Sequence, residues 1–192
     1  MGCHGGFFLE EAVRRTWYNP EAILKDVGLR SGMVFVDVGC GDGFFSILAA
    51  KAVGESGKIY AMDSDALAIE KLKRKAAELG LRNIDAKVGL AEETVFCTGC
   101  ADIVFYSMVL HDFSNPAVVL QNARKMVKPS GTLVDLDWKK KRMSFGPPLH
   151  IRFSEQQAAD LIAEAGLAVE NVRDAGRYHY IVMAKPSSTG PS

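Results

Sequence analysis

Apolar runs alternate along the chain with segments in which apolar and polar residues recur at helical spacing. Five apolar runs predict strands, over 33–38, 58–63, 83–89, 101–109 and 132–138. Helices are predicted between them, over 42–53, over 64–80, and from Asn115-Pro116 to about residue 126, with 128–131 as the turn into the fifth strand. This alternation predicts a mostly parallel sheet with helices on both faces.

The alternation stops over 139–153, a basic segment that contains two prolines. Ser154 and Gln157 then form a capping-box signature, which predicts a helix to about residue 165. Two strands follow, over 168–174 and 177–185, and the few residues between them predict an antiparallel hairpin at the sheet edge. We therefore predict a doubly wound α/β fold with a mostly parallel seven-stranded sheet and an antiparallel last strand. Residues 1–185 are expected to form one domain and 186–192 a disordered tail.

The composition is that of an ordinary globular protein, with 48% hydrophobic and 24% charged residues. A formal net charge of +0 gives no support for a general nucleic-acid or anionic-membrane binder. No apolar run approaches the roughly 20 residues needed to cross a bilayer, and the N-terminal segment lacks the pattern of a secretory signal. The cysteines at 3, 40, 97 and 100 do not resemble a disulfide framework. We expect a cytoplasmic protein with no membrane partner, and a homodimer stays open.

The first predicted strand runs into VDVGCGDG, which puts Gly39, Gly41 and Gly43 directly after it. Ligands of doubly wound sheets bind at the carboxyl ends of the strands, and glycines there let the backbone turn tightly and approach a ligand. Asp63 ends the second predicted strand about 20 residues later. Its carboxylate can accept hydrogen bonds from both hydroxyls of a ribose. The pattern therefore predicts a ligand that contains a nucleoside.

Two ligand classes fit this loop. The dinucleotide fingerprint has the spacing G-x-G-x-x-G, whereas the glycines here follow G-x-G-x-G and Phe44 stands at the fingerprint's third glycine position. Asp37 and Asp42 flank the loop, and such acids would repel a pyrophosphate but attract a cationic amino-acid group. The pattern favours S-adenosylmethionine, a sulfonium with an α-amino group, and keeps an NAD-dependent oxidoreductase as an alternative.

Four segments together resemble class I S-adenosylmethionine-dependent methyltransferases over about residues 20 to 185. They are VDVGCGDG, YAMDSD, ADIVFYSMVLHD and VKPSGTLVDLD, and the most similar subgroup is the small ubiquinone/menaquinone C-methyltransferase-like and arsenite methyltransferase-like enzymes. The resemblance implies methyl transfer to a small-molecule acceptor by in-line displacement. It also implies that Asp37 lies on the methionine amino side and Asp63 at the ribose. The cofactor-binding residues it implies are Asp37, Gly39, Cys40, Gly41, Gly43, Asp63, Ser64, Leu90, Ala91 and Ser107.

The chain departs from the family pattern at Leu90, where an acidic residue often meets the adenine amino group. Adenine recognition is then expected from the backbone of Ala91 or from Glu92. His111 follows the fourth strand, where the methyl acceptor is expected. Its imidazole, with a usual pKa near 6.5, can act as a general base. Alternatively it only lines the pocket together with Ser107 and Met108, since alignment alone drives many methyl transfers.

Other features have alternative interpretations. Cys97 and Cys100 are expected to be incidental thiols, because no further zinc ligands stand at metal spacing, and no metal site is predicted. The basic run 139–142 is interpreted as a solvated loop, with steering of an anionic acceptor or binding of RNA as alternatives. Trp17 and Tyr18 either cover the cofactor or pack an N-terminal helix on the sheet. A non-catalytic cofactor-binding subunit is the alternative from a different functional class.

Overall fold

The computed structural model describes residues 11–187, which form one seven-stranded sheet with helices on both faces. The strands are β1 (Val34–Val38), β2 (Lys58–Asp63), β3 (Ile84–Val88), β4 (Ala101–Ser107), β5 (Val127–Trp138), β6 (Leu167–Ala175) and β7 (His179–Pro186). The helices are α1 (Glu11–Trp17), α2 (Pro20–Asp26), α3 (Phe44–Val53), α4 (Ala66–Glu78), α5 (Pro116–Met126) and α6 (Glu155–Glu164).

The strand order is β3-β2-β1-β4-β5-β7-β6. Strands β1 to β5 pair in parallel, and β7 runs antiparallel to both β5 and β6. The chain moves outward from β1 to β3 and then returns to β4 on the other side of β1. The carboxyl ends of β1 and β4 therefore border the topological switch point, where ligands of such sheets bind. This architecture confirms the predicted fold class.

Each strand sends alternate side chains to the two faces of the sheet, because successive side chains of a strand point in opposite directions. Phe105 packs with Phe35 and Phe45 on the face covered by α2, α3 and α4. Tyr106 packs with Leu120 on the face covered by α5 and α6. Both cores are continuous beneath the switch point, so the site rests on rigid elements.

Two helix starts follow the signals in the sequence. Asn115 accepts a hydrogen bond from the Val118 amide, with Pro116 at the first helical position of α5. Ser154 and Gln157 form the predicted reciprocal capping box at the start of α6. Side-chain capping therefore fixes where these two helices begin, as the sequence predicts.

Several boundaries differ from the sequence-based expectations. The segment 128–131, predicted as a turn, is an irregular part of β5: β4 advances from Ala101 to Ile103 while β5 advances from Val127 to Thr132. The fourth strand ends at Ser107, not at 109. β7 includes Pro186, one residue beyond the predicted domain, while the rest of the predicted tail from 188, like the N-terminal ten residues, lies outside the described residues.

Candidate active site

The glycine loop between β1 and α3 turns through left-handed backbone. The φ values are +72° at Gly39, +53° at Gly41 and +88° at Gly43. A Cβ atom at Gly43 would lie 2.3 Å from Leu72 Cδ1 in α4, whereas a Cβ at Gly41 would meet no atom within 4 Å. Gly43 therefore fits the loop against the fold, and Gly41 turns its open side outward, where a ligand can approach bare backbone.

Cys40 lies inside this loop and is buried. Its amide and that of Gly39 donate hydrogen bonds to the Met62 carbonyl, at 2.9 and 2.8 Å. Burial raises the pKa of the Cys40 thiol well above its usual range, and nearby carboxylates add to the effect. The thiol is therefore an unreactive packing group.

Asp37 lies in β1, is 1% exposed, and points toward α3. Its Oδ2 accepts a hydrogen bond from Ser46 Oγ at 2.5 Å, but its Oδ1 has no partner. Burial raises the pKa of this carboxyl to about 6, although the Ser46 hydrogen bond and the charge of Arg14 act in the opposite direction. A buried carboxylate with an unpartnered oxygen suits a cationic donor, such as an α-ammonium group.

Asp63 ends β2 and holds the glycine loop to the next helix. Its Oδ2 accepts from the Gly41 amide at 2.8 Å, and its Oδ1 accepts from the Asp65 amide at 2.9 Å. Each carboxylate oxygen has two lone pairs, so Asp63 keeps acceptor capacity for a ligand diol. Ser64, which follows it, is exposed at the same edge. These residues fit the ribose of a nucleoside cofactor.

The segment after β3 carries the residues expected at the adenine. Leu90 is 48% exposed, and Ala91 is buried. The Glu92 carboxylate accepts from the Asn115 amide at 3.2 Å, so it supports the start of α5. Asn122 donates to the carbonyls of Ala91 and Glu92, at 3.1 and 2.8 Å, and thereby fixes this segment on α5.

The chain leaves β4 through a strained residue. Met108 has a φ of +58°, the one positive value among non-glycine residues of the described chain. Such conformations cost about 1–3 kcal/mol and concentrate at functional sites. This turn leads from Ser107, at the end of β4, to His111 at the switch point.

His111 forms a buried pair with Asp137, which the sequence analysis did not select. His111 Nδ1 lies 2.8 Å from the Asp137 carboxylate, and both side chains are almost inaccessible to solvent. Burial lowers the pKa of His111, but the charge and hydrogen bond of Asp137 together outweigh it and raise the pKa. If Nδ1–H donates to Asp137, the Nε2 lone pair is left as the proton acceptor. Their separation of 26 positions in sequence explains why no local signal reveals this pair.

A second buried acid, Asp135, lies on the same face of β5. Neither of its oxygens has a hydrogen-bond partner, and the hydroxyl of Tyr180 nearby on β7 is also unpartnered. Burial, together with the charge of Asp137, raises the pKa of the Asp135 carboxyl well above its usual range. The protonated form of Asp135 is therefore favoured, and Asp137 is the carboxyl group of this pair that contacts His111.

The N-terminal segment reaches the site through aromatic contacts. The Trp17 ring packs on Phe145 at 5.3 Å and on Trp138 at 5.1 Å between centroids. Tyr18 stacks on Phe45 and contacts the buried His179 edge-on. Of the two interpretations of Trp17 and Tyr18, these contacts fit packing of the N-terminal helices against the sheet.

Arg14 on α1 is a second residue that the sequence analysis missed. Its guanidinium lies 4.0 Å above the centre of the Phe44 ring, and it donates to Ser107 Oγ at 3.3 Å. Nothing in the local sequence separates it from Arg15, because both are arginines on one short helix. Only the fold shows that Arg14 reaches the end of β4.

The structure also describes the CTGC segment and the basic run, the two other features singled out in the sequence. Cys97 and Cys100 form a disulfide, so the expectation of two incidental thiols is wrong; Gly99, at φ +59°, turns the chain so that their Cα atoms lie 5.9 Å apart. In the basic run, Lys139 pairs with Asp174, while the other lysines contact Gln157 and the Arg177 carbonyl. The RNA and homodimer alternatives stay predictions.

Within residues 11–187, no helix has the length and hydropathy of a membrane span. In the same range, no three side chains of the metal-ligating types come together as a metal site.

Comparison with known proteins identifies the family. The model of a methyltransferase domain family matches residues 29–174. Among curated relatives, a demethylmenaquinone methyltransferase of Staphylococcus aureus (strain MRSA252) is 32% identical over 115 residues, which are 60% of this chain and 47% of that protein. The chain thus spans about half the length of the curated relatives it matches.

Among solved structures, a SAM-dependent methyltransferase from Aquifex aeolicus is 32% identical, with a TM-score of 0.85 over 89% of this chain and 91% of that chain. The [4+2]-cyclase SpnF shares the fold at 15% identity, with a TM-score of 0.74 over 87% and 81% of the two chains. The likeness to SpnF shows the fold alone, whereas the family match and the Aquifex relative agree on family and cofactor. The chain belongs to the S-adenosylmethionine-dependent methyltransferases, as the four motifs in its sequence predict.

Proposed function

We propose that this protein transfers the methyl group of S-adenosylmethionine to a small-molecule acceptor by in-line displacement. The observation that carries the proposal is the buried Asp37 carboxylate with its unpartnered Oδ1, two residues before the glycine loop. A carboxylate at that point favours the cationic amino group of the methionine part and disfavours a pyrophosphate.

The cofactor contacts follow from the chemistry of each group. Asp37 binds the α-ammonium group, and Asp63 binds the ribose hydroxyls with its remaining lone pairs, next to Ser64. The loop of Gly39, Cys40, Gly41 and Gly43 lies under the cofactor. Leu90 and Ala91 flank the adenine, and Ser107 lies at the methionine end. When bound, S-adenosylmethionine supplies an electrophilic methyl group on its sulfonium.

The chain's own contribution to the transfer is alignment and proton removal. His111 accepts the acceptor's proton at Nε2, while Asp137 holds Nδ1–H and stabilises the imidazolium that forms. Displacement would join the methyl carbon to the acceptor atom and break the bond between that carbon and sulfur, whose electron pair would stay on sulfur. His111 releases its proton to solvent before the next turnover.

We propose a hydroxylated aromatic compound as the acceptor. The relatives named demethylmenaquinone methyltransferases support this class, since loss of a phenolic proton makes a ring carbon nucleophilic. Trp17 and Phe145, which are partly exposed and stack on each other next to the buried Trp138, offer apolar ring surface near the end of β5 to such a substrate.

Two measurements, made one after the other, test the proposal. Calorimetric titration compares S-adenosylmethionine with NAD, and S-adenosylhomocysteine release is then followed over a panel of acceptors that begins with reduced demethylmenaquinone analogues. We expect binding of S-adenosylmethionine only, and turnover with hydroxylated aromatics. Binding of NAD alone would contradict the proposal. Binding without turnover across the panel would instead identify a cofactor-binding subunit.

A further inference from the structure

Arg14 is a cation at the methionine end of the candidate site. Its Nη2 donates to Ser107 Oγ at 3.3 Å and its Nε to the Tyr18 hydroxyl at 3.4 Å. The guanidinium is stacked 4.0 Å above the centre of Phe44, the first residue of α3 after the glycine loop. Arg14 thus spans the gap between the loop and the end of β4.

The charge of Arg14 is unmatched within the part of the chain that the structure describes. Its two hydrogen-bond acceptors are neutral hydroxyls at long distances, and it forms no ion pair there. Arg15, its neighbour, is paired with Glu11 at 3.0 Å and Glu21 at 2.9 Å. A guanidinium has five N–H donors, so Arg14 retains three for a further acceptor.

Arg14 and Asp37 form a pair of opposite charges that do not contact each other. The Arg14 charge acts on the Asp37 carboxyl and offsets part of the pKa increase that burial causes. The amino-acid part of S-adenosylmethionine carries the complementary charges, an ammonium and a carboxylate. Asp37 accounts for the first, which leaves the second without an assigned partner.

We propose that Arg14 binds the α-carboxylate of the methyl donor and thereby selects the intact amino acid over its decarboxylated form. The inference rests on the proposed function, because it assigns a further contact at the same site. Planar guanidinium and carboxylate groups form two parallel hydrogen bonds, which adds direction to the charge attraction. The stacking on Phe44 holds the guanidinium plane in place before the ligand binds.

A purely structural role is the alternative, in which Arg14 only fastens α1 to the loop. Helix α1 has seven residues and none of them is buried, and its other contacts include the packing of Trp17 on Trp138 and Phe145 and the Arg15–Glu21 ion pair. The two roles differ in one respect: a carboxylate contact depends on the ligand's carboxylate, whereas fastening of α1 does not.

The test measures dissociation constants for S-adenosylmethionine and decarboxylated S-adenosylmethionine with wild type, Arg14→Gln and Arg15→Gln. We expect wild type to prefer the carboxylated ligand by at least tenfold. Arg14→Gln should lose most of this preference while its affinity for the decarboxylated ligand stays within about twofold. Arg15→Gln, the matched control, should behave as wild type because its partners are Glu11 and Glu21.

Equal weakening of both ligands by Arg14→Gln would overturn the inference and indicate a fastening role. An unchanged preference in Arg14→Gln would overturn it as well. Arg14→Lys keeps the charge without the two parallel donors and should fall between wild type and Arg14→Gln. If wild type binds neither ligand, the proposed function fails first; if it binds both equally, only the inference fails.

Discussion

At the scale of single residues, Asp37 is a group whose burial costs stability at neutral pH and whose unpartnered oxygen is proposed to bind the methyl donor. Its folded-state pKa is raised to about 6, whereas its usual value is 3.8. The folded protein therefore favours the protonated form of Asp37 more than the unfolded chain does. The stability that this protonated carboxyl contributes below about pH 4 is lost as the pH rises from about 4 to about 6. Ser46, Arg14 and Asp63 are the groups that act on this carboxyl.

Asp37→Asn should separate the two effects. The variant removes the buried charge but keeps an acceptor for Ser46, so we expect a higher unfolding free energy than wild type at pH 7.5, by at most about 3 kcal/mol. The difference should vanish near pH 4, and S-adenosylmethionine affinity should fall at least tenfold. Thermal melts across this pH range and calorimetry measure both. A variant that is less stable at pH 7.5, or that binds as wild type, contradicts this account.

The His111–Asp137 pair predicts the pH dependence of turnover. His111 accepts a proton only when neutral, so the rate should rise as the pH increases through its raised pKa. The charges of Asp137 and Asp112 both raise this pKa, with Asp137 the larger contributor. Asp137→Asn removes the larger one, so the midpoint should move to lower pH while the maximal rate falls. His111→Gln should lose about 10²-fold or more in rate with cofactor affinity unchanged. Full activity of His111→Gln, with a flat profile, would reduce His111 to a pocket-lining residue.

At the scale of elements, the β1–α3 loop contains glycines with different tasks. Gly43→Ala places a Cβ 2.3 Å from Leu72 Cδ1 at a φ of +88°, so strain and overlap should destabilise the fold by about 2–4 kcal/mol. Gly41→Ala meets no atom within 4 Å and should cost the fold only about 1 kcal/mol. It should nevertheless weaken S-adenosylmethionine binding at least tenfold, because its Cβ extends into the open side. Denaturant unfolding measures the stability of both variants, and calorimetry measures their affinity for S-adenosylmethionine. The division of tasks would be contradicted if, in both variants, affinity fell in the same proportion to the loss of stability.

Prediction from sequence succeeded where the determinants are local. Strand β2 was predicted with its observed bounds, and the helix starts at Asn115 and Ser154 follow short-range capping. The irregular start of β5 was predicted as a turn because the contact that requires Gly131, with the Ala101 carbonyl 2.7 Å from a Cβ, comes from another strand. Within the site, Asp37 and Asp63 stand in recognisable motifs. Arg14 and Asp137 do not, since their partners lie 93 and 26 positions away.

At the scale of the whole molecule, the candidate site joins segments from both ends of the chain. The proposed cofactor contacts lie at the ends of β1, β2 and β4 and at Arg14 of α1, whereas the proposed acceptor side includes Trp17 of α1 and the segment 139–153 after β5. The buried Arg152 organises that segment: its guanidinium donates to the carbonyls of Pro147, Lys139, Lys141 and Phe145, at 2.7 to 3.3 Å. One side chain thus fixes the ring of Phe145 against Trp17.

Arg152→Gln should therefore open the acceptor side and leave the cofactor side intact. Loss of four hydrogen bonds to carbonyls should increase amide hydrogen exchange and protease cleavage within 139–153. S-adenosylmethionine affinity should stay within about threefold of wild type, because none of the proposed cofactor contacts lies in that segment. Methyl transfer should fall at least tenfold, chiefly through a higher KM for the acceptor. Arg142→Gln, an exposed residue of the same segment, serves as the control and should match wild type. Equal loss of cofactor affinity and turnover in Arg152→Gln would show instead that the two sides form one cooperative unit.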